Sequence, residues 1–222
     1  MTRSVIFDLD GTLADTSGDL LAAANACFLG LGLGELLTRA DAGTALRGGR
    51  AMLRLGFSRL AGGEADEAAV NAEYPKLLRH YDDAIDVHTR MYPRAMEAVE
   101  ALKSAGFAVA ICTNKPEGLA EKLMRSLGHR SAFGALVGAD TTPVPKPDPT
   151  PYFEAVARVG GDPALSFLVG DSMTDERTAR AAGVASVSVS FSPDAASRAE
   201  MSPDAWLDDY ADLPALAARL IT

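Results

Sequence analysis

The chain has 222 residues, enough for one domain carrying a sizeable insertion or for two, since a typical domain takes about 150. With 48% hydrophobic and 23% charged residues it can bury a core and is not a disordered tail. Twenty-one Lys and Arg against 30 Asp and Glu leave a formal charge of −9, which argues against nucleic acid or an anionic membrane surface as partner; an anionic small substrate needs local cations.

The opening MTRSVIFDLDGT holds only a brief apolar run before two aspartates, too short for the core of a secretion signal, and no later stretch approaches the ~18 uninterrupted apolar residues of a membrane span. A cytoplasmic protein is expected. That run, Val5 to Leu9, is the first strand. A long stretch without a convincing strand follows, and it reads as an inserted helical domain. Leu21, Ala24, Phe28 and Leu31 form one apolar stripe, Leu46, Leu53, Phe57 and Leu60 a second, and Val70, Tyr74, Leu77, Leu78 and Tyr81 a third. Pro75 predicts a kink or a late start in the third. Turn-forming residues gather near Asp15 to Gly18 and His88 to Pro93, so the insertion is assigned to residues 16–89 and the core to 1–15 and 90–222.

Beyond the insertion, short β-rich runs alternate with stretches of helical spacing, as in an α/β domain with a parallel sheet. The expected strands are Phe107 to Thr113, Leu136 to Gly138, Ser166 to Gly170 and Val184 to Val189. Before the first of these and then between them, helical faces carry Ala98, Val99 and Leu102, then Leu119, Leu123 and Leu127, then Tyr152, Val156 and Val159. Thr150 with Pro151 reads as an N-cap followed by a first-turn proline, and Leu213, Leu216 and Leu220 mark a closing helix. Cys27 and Cys112 read as small core residues, and His80, His88 and His129 as surface positions. A metal in this chain would be held by oxygen.

In an open parallel sheet, ligands collect beyond the carboxyl ends of the strands. After the first strand come Asp8-Leu9-Asp10-Gly11-Thr12, after the second Thr113-Asn114, later Lys146-Pro147, and after the fourth Gly170-Asp171-Ser172 with Asp175 beyond. Alternation would put Asp8 and Asp10 on one side, although Gly11 lets the chain turn and aim them separately. Carboxylates this close repel unless a cation or a shared proton intervenes, so the group is costly as mere structure. The same cost serves catalysis, where one acid stays ionised as nucleophile while another handles protons. Hard oxygen ligands in this number suit Mg²⁺ beside a phosphate. Thr113 offers a hydroxyl and Lys146 a point charge for a phosphoryl oxygen or a carboxylate. Taken singly, each acid could be a helix cap and Lys146 a surface lysine; their joint occurrence at successive strand ends points to a site.

FDLDGTLADT, ICTNKP, KPDP and GDSMTD, in this order, resemble the four motifs of the haloacid dehalogenase superfamily, and the helical insertion after the first is similar to that superfamily's cap. The resemblance implies a Rossmann-like core, Mg²⁺ dependence and an aspartyl-phosphate intermediate. It makes Asp8 the nucleophile and Asp10 the acid and base, with the Asp10 main-chain carbonyl on the metal. Thr113 and the Asn114 amide would hold the phosphoryl group and Lys146 would balance charge, while Asp171 binds Mg²⁺ and Asp175 supports it. The acid two residues after the nucleophile places the chain with the phosphoryl-transfer members, and DVHTRMYPRAMEAVEALKSAG with the cap is similar to phosphoglycolate phosphatases.

In the insertion, Arg47, Arg50 and Arg54 would form a basic stripe if one helix ran through them, and Arg47 or Arg50 would then grip a substrate carboxylate; a solvated helix face is the plain alternative. The expected activity is Mg²⁺-dependent hydrolysis of a small phosphorylated metabolite, with 2-phosphoglycolate first. Phosphomutase, pyrophosphatase and nucleotidase reactions are the near alternatives, and a phosphorylated switch a more distant one. No P-loop is present, and Ser172 lies in Gly-Asp-Ser rather than in a nucleophile elbow.

Overall fold

A computed structural model describes residues 1–221. The chain divides into two compact units, Met1–Asp15 with Met91–Thr222, and Thr16–Arg90. The first is built on a six-stranded parallel sheet. Its strands are β1 (Thr2–Phe7), β2 (Ala108–Cys112), β3 (Ala135–Val137), β4 (Gly161–Gly170), β5 (Ala185–Val189) and β6 (Ala205–Leu207), in the spatial order β3-β2-β1-β4-β5-β6. This is the doubly wound order, with β1 at the centre.

The centre explains the composition of β1. Val5, Ile6 and Phe7 are fully buried, so the second half of the strand reads as a continuous apolar run with no polar face. Burying each such side chain is worth roughly 1.5–3 kcal/mol. Ile6 stands in register with Ala110 and Leu168, and these pack with Tyr152 and Val156 of α7 (Thr150–Arg158) and Ala179 of α8 (Met173–Ala182). Val5, Phe7, Val109 and Ile111 alternate onto the other face, where Phe7 meets Phe133 edge to face at 6.2 Å. Cys112 is buried in this core. Helices α5 (Ala95–Ser104), α6 (Glu117–Ser126), α9 (Ala195–Glu200) and α10 (Leu213–Leu220) complete the unit.

Two local readings change here. Helix α7 begins one residue earlier than expected, at Thr150 itself: Pro149 is the N-cap, and the Thr150 N–H donates to Asp148 Oδ1 at 2.9 Å. Strand β6 was not expected; its three residues are too few to show alternation, and Trp206 remains 41% exposed at the sheet edge.

The second unit is helical, with α1 (Ser17–Gly30), α2 (Ala42–Leu46), α3 (Gly49–Ala61) and α4 (Glu67–Asp83). Phe28 of α1 meets Phe57 edge to face at 5.3 Å and lies over Gly56, where an added Cβ would stand 2.2 Å from the ring. The ends of the unit are tied by Asp19, which accepts the N–H groups of His88 and Thr89 and the Thr89 hydroxyl. Helix α4 starts at Glu67 and continues through Pro75, so the late start offered as one expectation does not occur. The second stripe is divided. Arg47 caps the end of α2, Gly48 takes φ +96°, and α3 starts afresh at Gly49, so Arg47 does not share a helix with Arg50 and Arg54. Among the described residues no helix is long and apolar enough to cross a membrane.

Candidate active site

At the carboxyl ends of β1 and β4 the chain stops being strand and becomes acidic. Asp8 directly follows β1 and still donates its N–H to Val169 O at 2.8 Å, so its backbone is fixed by the sheet. Asp171 directly follows β4, and Asp175 sits in the first turn of α8. There Ser172 and Asp175 cap the helix reciprocally: the Ser172 hydroxyl accepts from the Asp175 N–H, while Asp175 Oδ2 accepts from the Ser172 N–H. Gly170 permits this approach, because a Cβ there would stand 2.3 Å from that of Asp175. All three acids are buried, and one carboxylate oxygen from each lies within 4.8 Å of the other two.

Lys146 is the cation within this cluster. Its Nζ, on a side chain only 2% exposed, donates to Asp8 Oδ1 at 2.9 Å and Asp175 Oδ1 at 2.6 Å. Burial opposes its charge, but Asp175 and Asp8 outweigh that and hold the ammonium above its ordinary range. One lysine does not neutralise three carboxylates. Burial, partly offset by Lys146 and reinforced by Asp175 and Asp10, raises Asp8 from 3.8 to about 6. Burial with the charges of Asp8 and Asp175 lifts Asp171 well above the carboxylate range. The uncompensated negative charge and the all-oxygen donor set fit a hard divalent cation such as Mg²⁺. Asp171 presents itself for that role: its oxygens accept from Ser192 Oγ at 2.7 Å and Thr12 Oγ1 at 3.3 Å, which fix its orientation. Asp175 is more heavily used, with Oδ1 on Lys146 and Oδ2 on Ser172 and the Asp171 N–H, so it braces the loop and the lysine.

The remaining sequence candidates fall in different places. Thr113 follows β2, is buried, and its Oγ1 accepts from the Lys115 N–H at 3.1 Å. The Asn114 side chain clamps two loops, donating to Lys146 O at 2.9 Å and accepting from Lys146 N at 3.0 Å. Asp10 is outside the group of three acids whose oxygens lie within 4.8 Å of one another, although its charge acts on Asp8. Gly11 takes φ +82°, and Asp10 Oδ1 pairs instead with Lys115 Nζ at 2.9 Å. Arg50 is engaged within its own helical unit, stacked over Tyr74 at 4.2 Å and bonded to Asn71, while Arg54 pairs with Glu67. Sequence reasoning passed over Lys115, Ser192 and Thr12. Lys115 sits inside the quoted ICTNKP, but nothing in a sequence marks a lysine as buried; Ser192 lies in a polar loop with no periodicity.

The arrangement provides a carboxylate held at a strand end, a fixed cation, a candidate metal position and a separate acid on its own lysine. The haloacid dehalogenase-like hydrolase family model matches residues 2–183. The chain belongs to this family. Its relatives include a phosphoglycolate phosphatase of Agrobacterium fabrum, 36% identical over 98% of this chain and 93% of that one. Another, from Mesorhizobium japonicum, is 38% identical over 100% of this chain and 98% of its own. In fold it is similar to the crystal structure of a predicted phosphoglycolate phosphatase from Haemophilus somnus, with a TM-score of 0.84, 26% identity and 97% of each chain covered. The chain is thus a phosphoglycolate phosphatase-like hydrolase with a Rossmann-like α/β core.

Proposed function

We propose that the chain hydrolyses a small phosphate monoester, 2-phosphoglycolate first among them, through a phosphorylated Asp8. The observation that carries this reading is Asp8 itself: a buried carboxylate fixed by the sheet, bonded to Lys146, at the centre of an acidic cluster. An Asp8 oxygen attacks phosphorus in line, and the P–O bond to the leaving alkoxide breaks as Asp10 supplies its proton. Water then attacks the phosphorus of phospho-Asp8, Asp10 takes the proton, and the P–O bond to Asp8 breaks, returning the carboxylate. Thr113 and the Asn114 amide would hold the phosphoryl oxygens, and Lys146 would keep Asp8 ionised. Asp8, Asp171 and the main-chain carbonyl of Asp10 would hold Mg²⁺, with Asp175 supporting them; when bound, the ion would neutralise charge on the transferring group. Substrate specificity would come from the helical unit of residues 16–89, with Arg47 and Arg50 candidates for the substrate carboxylate.

The reading is tested by a panel of phosphate esters assayed with and without chelator: chelator-sensitive release of phosphate from 2-phosphoglycolate is expected. Transfer between sugar positions with little free phosphate would instead indicate a mutase. Arg50→Ala is expected to raise KM for 2-phosphoglycolate far more than for p-nitrophenyl phosphate, and equal changes would remove Arg50 from substrate recognition.

The acidic cluster also makes metal binding visible in stability. The folded chain holds a proton on Asp8 more tightly than the unfolded chain does, so that contribution is complete below pH ~3.8 and is lost as pH rises through about 6; burial and the charges of Asp8 and Asp175 raise Asp171 in the same direction. Mg²⁺ competes with those protons. Its stabilisation should therefore grow with pH, reaching about 2.7 kcal/mol at a hundredfold excess over Kd, roughly 5–10 °C in Tm for a chain of this size. Thermal melts at pH 5 and pH 7.5 with and without Mg²⁺ check this; a shift as large at pH 5 as at pH 7.5 would count against the cluster as the metal site.

A further inference from the structure

Lys115 has no part in the reaction outlined above, yet its side chain is 4% exposed and its Nζ lies 2.9 Å from Asp10 Oδ1. Its backbone is held on both sides: the N–H donates to Thr113 Oγ1 at 3.1 Å, and the carbonyl accepts from the Ala139 N–H at 3.0 Å. Asp10 stands in a tight turn, where Leu9 O accepts from the N–H groups of Leu13 and Ala14 and Gly11 N donates to Ala14 O at 2.8 Å. Neither end of the pair rides on a loose loop. Burying an ammonium costs several kcal/mol unless it is paired, so a lysine sunk here needs a reason beyond solubility. The two buried lysines also divide the acids between them, Lys146 reaching Asp8 and Asp175 while Lys115 reaches Asp10.

We propose that Lys115 is a positioning residue that fixes the Asp10 carboxylate where it receives the proton of the water attacking phospho-Asp8. This rests on the phosphatase reading. In the first step the nucleophile is Asp8, held by its own backbone. In the second the nucleophile is a free water, aligned by the base that takes its proton. The water oxygen bonds to phosphorus, its proton passes to Asp10, and the electrons of the breaking P–O bond return to the Asp8 carboxylate. A displacement of about 1 Å in such a group costs ~10²-fold. With p-nitrophenyl phosphate the leaving phenolate departs without a proton, so a misplaced Asp10 slows the second step alone.

The experiment is stopped-flow hydrolysis of p-nitrophenyl phosphate with Mg²⁺ by Lys115→Met. The expected trace is a burst of p-nitrophenolate approaching one per site, followed by a steady state ~10²-fold slower than wild type, with KM not raised and phosphorylated protein accumulating in the intact mass. A raised KM without a burst would make Lys115 a substrate ligand, and an unchanged steady state would make it merely structural; either overturns the proposal. In an Asp10→Asn background, Lys115→Met should add no further loss, whereas a multiplied loss contradicts action through Asp10. If Lys115→Met does not fold, Lys115→Gln is read by the same criteria. The base reading fails separately, if wild type does not hydrolyse the ester or Asp8→Asn still does.

Discussion

Asp8→Asn is expected to abolish turnover. Unassisted phosphate-monoester hydrolysis is among the slowest reactions known, with enzymatic accelerations up to ~10²¹, so if Asp8 is the nucleophile, as proposed, the variant has no comparable route to fall back on. The amide is nearly the same size as the carboxylate and keeps an oxygen for Lys146 Nζ, now 2.9 Å from Asp8 Oδ1, while the main-chain bond from Asp8 N to Val169 O is untouched. The far-ultraviolet circular dichroism should therefore match wild type. The variant also relieves repulsion from Asp171 and Asp175, so its metal-free form should be no less stable than wild type. Steady-state assay with circular dichroism checks both; measurable activity in a folded variant would remove Asp8 as nucleophile.

Lys146→Met should damage both activity and stability. The substitution leaves Asp8, Asp171 and Asp175 buried together without the ammonium now bonded to two of them. Breaking a buried ion pair from one side costs about 3–5 kcal/mol, because the partner charges remain buried and unpaired. Loss of one fixed charge that stabilises the transferring group costs ~10²–10³ in kcat. Denaturant titration without metal reads the first effect, and assay at saturating Mg²⁺ reads the second. A loss of stability under about 1 kcal/mol would mean that the three acids are not ionised together when Lys146 is removed.

Much of this was legible in the sequence because strand ends carry chemistry in a parallel sheet. The apolar run Val5 to Phe7 and the acids after it mark the central strand and its active end, and the runs before Thr113 and Asp171 do the same for β2 and β4. What was not legible is three-dimensional. Alternation could not say that Asp10 would pair with Lys115, because the two lie on loops after different strands and meet only in the folded chain. Nor could spacing show that Asp175 spends its oxygens on Lys146 and Ser172, because those contacts depend on Gly170 letting α8 approach the end of β4. The supposed arginine stripe failed at Gly48, whose positive φ ends one helix and starts another. Strand β6 was too short, at three residues, to leave a pattern.

The most direct test of covalent catalysis at Asp8 is to trap the intermediate. Wild-type protein is mixed with substrate and Mg²⁺, quenched during turnover and treated with borohydride, which reduces an acyl phosphate to an alcohol. Peptide mass mapping should find homoserine at position 8 and unaltered aspartate at positions 10, 171 and 175. Rapid turnover with no reduction at Asp8, or with reduction at another of these aspartates, would contradict the account.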